Sequence, residues 1–161
     1  MMQAMRPSFL ASFIIFATLL LPHLSLAADA PTTQPARFEV ANVYVDSGDH
    51  PLAAWQVELK ATQGDVKIVG LEGGDHRDLY RDPPYYDPKA LAAGNRIILA
   101  SYTTANTAPK GKTLVARVHL RIAGDYRLSI TPMAAADPTG QSIATTAIVT
   151  APTTSTPKDK E

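Results

Sequence analysis

The stretch from Leu52 to Ala61 alternates. Ala53, Trp55, Val57, Leu59 and Ala61 are apolar, and from position 56 the residues between them are Gln56, Glu58 and Lys60. A period of two marks a half-buried strand, because successive side chains leave opposite faces of a sheet. Read as a helix, the same residues would put Glu58 and Lys60 into the apolar sector. The stretch carries the only Trp of the chain, and its parity with Val57 and Leu59 turns the ring inward rather than outward as a platform. Trp55 is therefore the expected centre of the core.

Other segments repeat the pattern. Phe38 to Val45 reads as a strand whose apolar phase changes near Ala41 and Asn42, which predicts a bulge or a change of sheet. Thr62 to Asp65 reads as a turn, and Val66 to Glu72 as a strand closed by Gly73 and Gly74. Arg96 to Tyr102 is continuously apolar in its middle, as in a strand covered on both faces. Leu114 to Ile122 alternates cleanly, and Tyr126 to Ile130 alternates again after Gly124 and Asp125, which predicts a hairpin. Met133 to Gly140 reads as a loop and Ile143 to Val149 as a last strand. The longest loop-like segment runs from Asp75 to Gly94, with room for one helical turn at Lys89 to Ala93. Seven or eight short strands without a sustained helical period predict an all-β sandwich.

The ends read differently from the middle. Residues 1–27 carry Arg6, an uncharged apolar run from Phe9 to Leu21, Pro22 and then Ser25, Leu26 and Ala27, the order of a secretory signal peptide. Cleavage after Ala30 is the alternative site. An uncleaved anchor is the alternative reading, but the apolar run is shorter than the ~20 residues that span a bilayer. Residues 28–36 then form a flexible leader, 37–150 the folded domain and 151–161 a disordered tail of Pro, Thr, Ser and Lys. The expected location is outside the cytoplasm, periplasmic or extracellular.

Composition narrows the chemistry. The chain has no Cys, which removes a disulfide framework, a lipoprotein anchor and any thiolate nucleophile. Arg6 is the only charge in residues 1–27, so of 15 basic residues 14 remain against 15 acidic ones. That balance, without basic clusters, argues against nucleic acid and against a membrane surface as partner once the signal is cleaved. There is no G-x-S-x-G elbow and no H-E-x-x-H pattern, so an enzyme is not expected; a glycoside hydrolase-type carboxylate pair is the remote alternative.

A resemblance adds to this reading. The Trp55 strand is followed by Val-Lys-Ile-Val-Gly-Leu-Glu-Gly-Gly, a long loop and Arg-Ile-Ile-Leu-Ala-Ser-Tyr. Next come Leu-Val-Ala-Arg-Val-His-Leu-Arg-Ile-Ala-Gly-Asp-Tyr-Arg-Leu-Ser-Ile and Ala-Ala-Asp-Pro-Thr-Gly-Gln-Ser-Ile. From about Phe38 to Val149 this order resembles the cohesin domain and the family 2 and family 3 carbohydrate-binding modules. The resemblance implies a cohesin-like jelly-roll or immunoglobulin-like β-sandwich of about eight to nine strands. It also implies a non-catalytic role, either binding polysaccharide or docking a protein of an envelope or extracellular assembly. Gln63-Gly64-Asp65 stands where many cohesins have Asp-Pro, and no dockerin-contacting residue carries over by position.

Candidate side chains fall in two groups. Tyr80, Tyr85 and Tyr86, with Asp82 and Asp87, lie on the long loop. Exposed rings there would stack on sugars while the carboxylates accept sugar hydroxyls; the alternative is that the rings cover the end of the sandwich. Arg117, His119 and Arg121 share the outward parity of one strand, either as a protein-docking face or as an ordinary solvated one. No catalytic residue, cofactor or metal is assigned. The Asp and His residues at 46, 49 and 50, and at 75, 76 and 78, match no ligand spacing, and turns favour Asp for local hydrogen bonds.

Overall fold

The computed structural model describes residues 34–151. The expected signal peptide at 1–27, leader residues 28–33 and the tail beyond Ala151 lie outside the described residues. Five antiparallel strands form one open sheet: β1 (Arg37–Asp46), β2 (Ala54–Gly73), β3 (Arg96–Tyr102), β4 (Lys112–Ala136) and β5 (Thr146–Thr150). Their order is β3-β2-β4-β1-β5. One short helix, α1 (Pro88–Ala93), sits where a helical turn is predicted. Asp87 caps it, its Oδ1 accepting from Lys89 N at 2.9 Å.

The fold is thus mostly β, and the described residues form five strands in one open sheet, fewer separate strands than the eight to nine read from sequence. The reason lies in β2 and β4. The Trp55 segment and the Val66 segment are one strand, continuous through the predicted turn at Thr62 to Asp65. Leu114 to Ile122 and Tyr126 to Ile130 are likewise one strand and do not pair with each other as a hairpin. Both strands pair with each other over nearly their whole length, from Ala54 opposite Ala136 to Gly73 opposite Ala116. Met133 to Ala136, read as loop, ends β4.

What looked like turns are bulges. Between Ala61 opposite Leu128 and Val66 opposite Ile122 the register shifts twice. The two strands therefore cross the bend with unequal numbers of residues, and β2 changes parity there. Trp55, Val57 and Leu59 point into the core before it, and Val66 and Ile68 after it. Gly64 at φ 88° sits at the bend, and a Cβ there would drive into the carbonyl oxygen of Asp125 and stand 3.0 Å from Tyr126 Cα. A second bulge lies opposite Val43 and Tyr44, where β4 carries the extra residue Val115. It falls close to, but not at, the phase change read at Ala41 and Asn42. The even apolar residues before that point, Phe38 and Val40, lie on the outer side of β1, while Ala41, Val43 and Val45 are buried. Gly74 packs directly on this bulge, with no room for a side chain against the Leu114 carbonyl.

One hydrophobic cluster takes in both halves of the long strands. It joins Trp55, Val57, Leu59, Ile97 and Leu99 with Val43, Val45, Ile68, Val118, Leu120 and Ile122. Burial of these side chains supplies the main driving force for folding, at roughly 25 cal/mol per Å² of apolar surface. Trp55 is 2% exposed, inward as its parity predicts. Its Nε1 has no hydrogen-bond partner among the described residues, so the indole acts as an apolar wedge.

Two phenols, the buried Tyr80 and the half-buried Tyr126, give the fold an alkaline limit. Burial raises the Tyr80 pKa far above the ordinary 10.0. Burial, then the hydrogen bond to Glu39, pushes Tyr126 up to about 12. Above pH 10 the unfolded chain releases both protons while the folded chain keeps them. The unfolded state then binds fewer protons, so stability falls as pH rises. Below the unfolded value of 10.0 the contribution is complete. The urea midpoint is expected to drop between about pH 10 and pH 12, and a Tyr80→Phe, Tyr126→Phe double variant is expected to flatten that drop.

Candidate functional site

The outer face of β3, β2 and the end of β4 is tiled by small residues. Across the three strands one row is Tyr102, Ala54 and Ala136, and the next is Ala100, Gln56 and Ala134. Strand alternation turns all six to the side opposite Trp55, Ser101 and Ala135. Four alanines leave the floor low, and the flanks rise on either side. On one side Tyr85 bridges to Ala100; on the other Ser142 bridges to Ala136. The result is an open groove of about 460 Å³ whose lining includes Tyr85, Tyr102, Gln56, Gly140 and Ser142 and no charged residue.

Two tyrosines form its aromatic wall. The Tyr85 and Tyr102 rings are parallel within 3°, with centroids 6.1 Å apart. They are 43% and 58% exposed, so each keeps surface for a ligand. Arg81 lies over the Tyr85 ring at 4.4 Å from its centroid. Hydrogen bonds from Arg81 and then from Tyr102, with the Arg81 charge behind them, lower the Tyr85 phenol below its ordinary value. The backbone holds the ring in place: Tyr85 N donates to Ala100 O at 2.8 Å, and Ala100 N donates back at 3.0 Å.

The other loop residues singled out from sequence do different work. Tyr80 is buried, packs edge-on against Trp55 at 6.3 Å, and donates its hydroxyl to the Leu52 carbonyl. Asp82 accepts from Gly73 N at 2.6 Å and pairs with Arg77 at 3.3 Å. Asp87 caps α1, and Tyr86 packs partly buried on the core. Of the five, only Tyr85 reaches the groove. Tyr102, Gln56 and the four alanines escaped the sequence reading. The outward parity of Tyr102 relative to Ile97 and Leu99 was the available signal, hidden by the apolar run of that strand.

Arg117, His119 and Arg121 do share the outer face of β4, and each is answered within the sheet. Arg117 donates to Gly73 O at 3.1 Å and to Asp75 Oδ1 at 2.9 Å. His119 Nε2 meets Glu72 Oε1 at 2.9 Å, and Arg121 lies 3.9 Å from Asp65. Phe38, opposite Arg121 in the β1–β4 register, stands 74% exposed. Among the described residues no three His, Asp or Glu side chains gather as a metal site. Asp46 and Asp137 instead accept from turn N–H groups. Hydrogen bonds from Thr139 and Gln141 hold the Asp137 pKa low.

Comparison with protein-family models, with curated proteins and with solved structures returned no match.

Proposed function

We propose that this chain is an exported, non-catalytic binding module that takes polysaccharide in the groove walled by Tyr85 and Tyr102. The observation that carries the reading is the parallel tyrosine pair beside a floor of alanines. Sugar rings present an apolar face of C–H groups and an equator of hydroxyls. Parallel aromatic rings suit the first, and Gln56 and Ser142 at the groove suit the second. The proposal includes the finer fold reading, a cohesin-like or carbohydrate-module-like β-sandwich. The single core cluster shared by both halves of the bent strands supports it, because such a core requires the sheet to coil over itself. Export belongs to the same proposal and rests on the pattern of residues 1–27.

Retention on a panel of insoluble polysaccharides tests the reading. Tyr85→Ala and Tyr102→Ala are each expected to weaken retention about fivefold, since one stacked ring contributes on the order of 1 kcal/mol. Tyr102→Ala leaves the core intact because its side chain points outward. No retention of the parent protein on any polysaccharide would sink the proposal.

The second reading is a protein-docking module using the Arg117, His119 and Arg121 face. The exposed Phe38 ring beside that row favours it. The internal pairing of all three side chains leaves Phe38 as its main anchor, so Phe38→Ser is the variant that separates this reading from the groove.

A further inference from the structure

The two edges of the sheet differ. The β3 edge is closed by the two backbone hydrogen bonds between Tyr85 and Ala100. At the other end β5 pairs with β1 alone among the described residues. Its outer side presents alternate N–H and C=O groups, each a strong donor or acceptor. Folded proteins ordinarily protect such an edge with a charge, a proline or a bulge. Residues 142–151, Ser-Ile-Ala-Thr-Thr-Ala-Ile-Val-Thr-Ala, contain neither charge nor proline, and β5 runs against β1 from Thr150 to Thr146 without a register shift.

We infer that β5 is a self-association edge, which takes β5 of a second copy of this chain as its antiparallel neighbour. Three arguments favour a second copy. The first is register. A dyad centred on Ile148 sets Thr146 of one copy opposite Thr150 of the other, Ala147 opposite Val149, and the two Ile148 residues opposite each other. That pairing keeps Ala147 and Val149 of both copies on the core side, where they already pack. A slip by one residue would turn one copy's core-facing residues outward. The second is the side chains: Thr, Ile and Val favour cross-strand pairing, and Ile148, 39% exposed beside Tyr44, gains apolar cover. The third is charge. A charged peptide finds no complementary side chain on β5, whereas a second uncharged β5 brings no like charges together. The nearest charges inside the sheet, Asp46 and Lys112, already oppose one another.

Sedimentation equilibrium on the protein as the cell processes it tests the inference. The average mass is expected to rise toward twice the monomer with concentration. Ile148→Lys places like charges opposite each other across the dyad, on the outer face and away from the core. It is expected to raise the midpoint concentration of association at least about tenfold while leaving the urea midpoint of the monomer unchanged. Hydrogen exchange on the β5 amides supplies a second readout, with protection expected to grow with protein concentration. A monomer at every concentration overturns the inference, as does a dimer that Ile148→Lys leaves intact. Protection of β5 independent of concentration also overturns it, because the chain's own residues before Gln34 or after Ala151 would then cover the edge. None of these outcomes depends on what the groove binds.

Discussion

Gly64→Ala is expected to lower folding stability by about 3 kcal/mol, enough to threaten a domain of this size. Two costs combine. The residue sits at φ 88°, where an L side chain is strained, at roughly 1 kcal/mol. The added Cβ also meets the Asp125 carbonyl and the Tyr126 backbone of the facing strand, and relieving that overlap means moving backbone, at roughly 1–3 kcal/mol. Gly48→Ala separates the two. Gly48 also has positive φ, at 58°, but nothing lies within 4 Å of a Cβ built there. It should lose only about 1 kcal/mol. Urea midpoints of the two variants measure the difference directly. Equal losses would mean that the bend tolerates a side chain and that the close approach at Asp125 is not what fixes Gly64.

Tyr80→Ala carries the other large effect. Tyr80 is 7% exposed, packs edge-on against Trp55 and bonds the Leu52 carbonyl. Removing the ring leaves a cavity beside the indole, at ~3–4 kcal/mol. It also releases the start of the segment that carries Arg81 and Tyr85 to the groove. That segment then depends on Arg81 N bonding Ser101 Oγ at 3.2 Å, on Asp82 accepting from Gly73 N at 2.6 Å and on the Tyr85–Ala100 bridge. Loss of stability and loss of polysaccharide retention are therefore expected together. Tyr80→Phe keeps the ring, gives up one hydrogen bond for ~1 kcal/mol, and should retain ligand. If Tyr80→Phe lost retention as fully as Tyr80→Ala, the hydroxyl itself would belong to the site, against its buried position.

The tyrosine loop shows how far residue type could be read before the fold was known. The aromatic and acidic composition of positions 80–87 marks the segment that supplies Tyr85 to the groove. It did not separate the buried Tyr80 from the exposed Tyr85, because both precede the same strand edge and neither lies in a periodic pattern. Asp82 and Asp87 read from sequence as sugar acceptors, and the structure gives both to backbone N–H groups. The docking row was legible as a face, since parity alone puts Arg117, His119 and Arg121 together. That each of the three is answered was not, because Asp75, Glu72 and Asp65 come from elsewhere in the chain.

By itself, the sequence determined what depends on short-range order. Alternation over Leu52 to Ala61 and Leu114 to Ile122 specified strands and their inward faces, and Trp55 as a core residue followed from parity. Strand count and pairing were decided only by tertiary structure. Gly64 and Gly124 look like hairpin turns because a glycine with positive φ serves a turn and a bulge equally well. Whether the chain reverses or merely bends depends on the strand lying opposite, and that partner is 58 to 67 residues away, from Asp65 opposite Ala123 to Ala61 opposite Leu128. The groove is non-local for the same reason. Its floor is Ala54, Ala100, Ala134 and Ala136 from three strands, and small residues acquire meaning only when register sets them side by side.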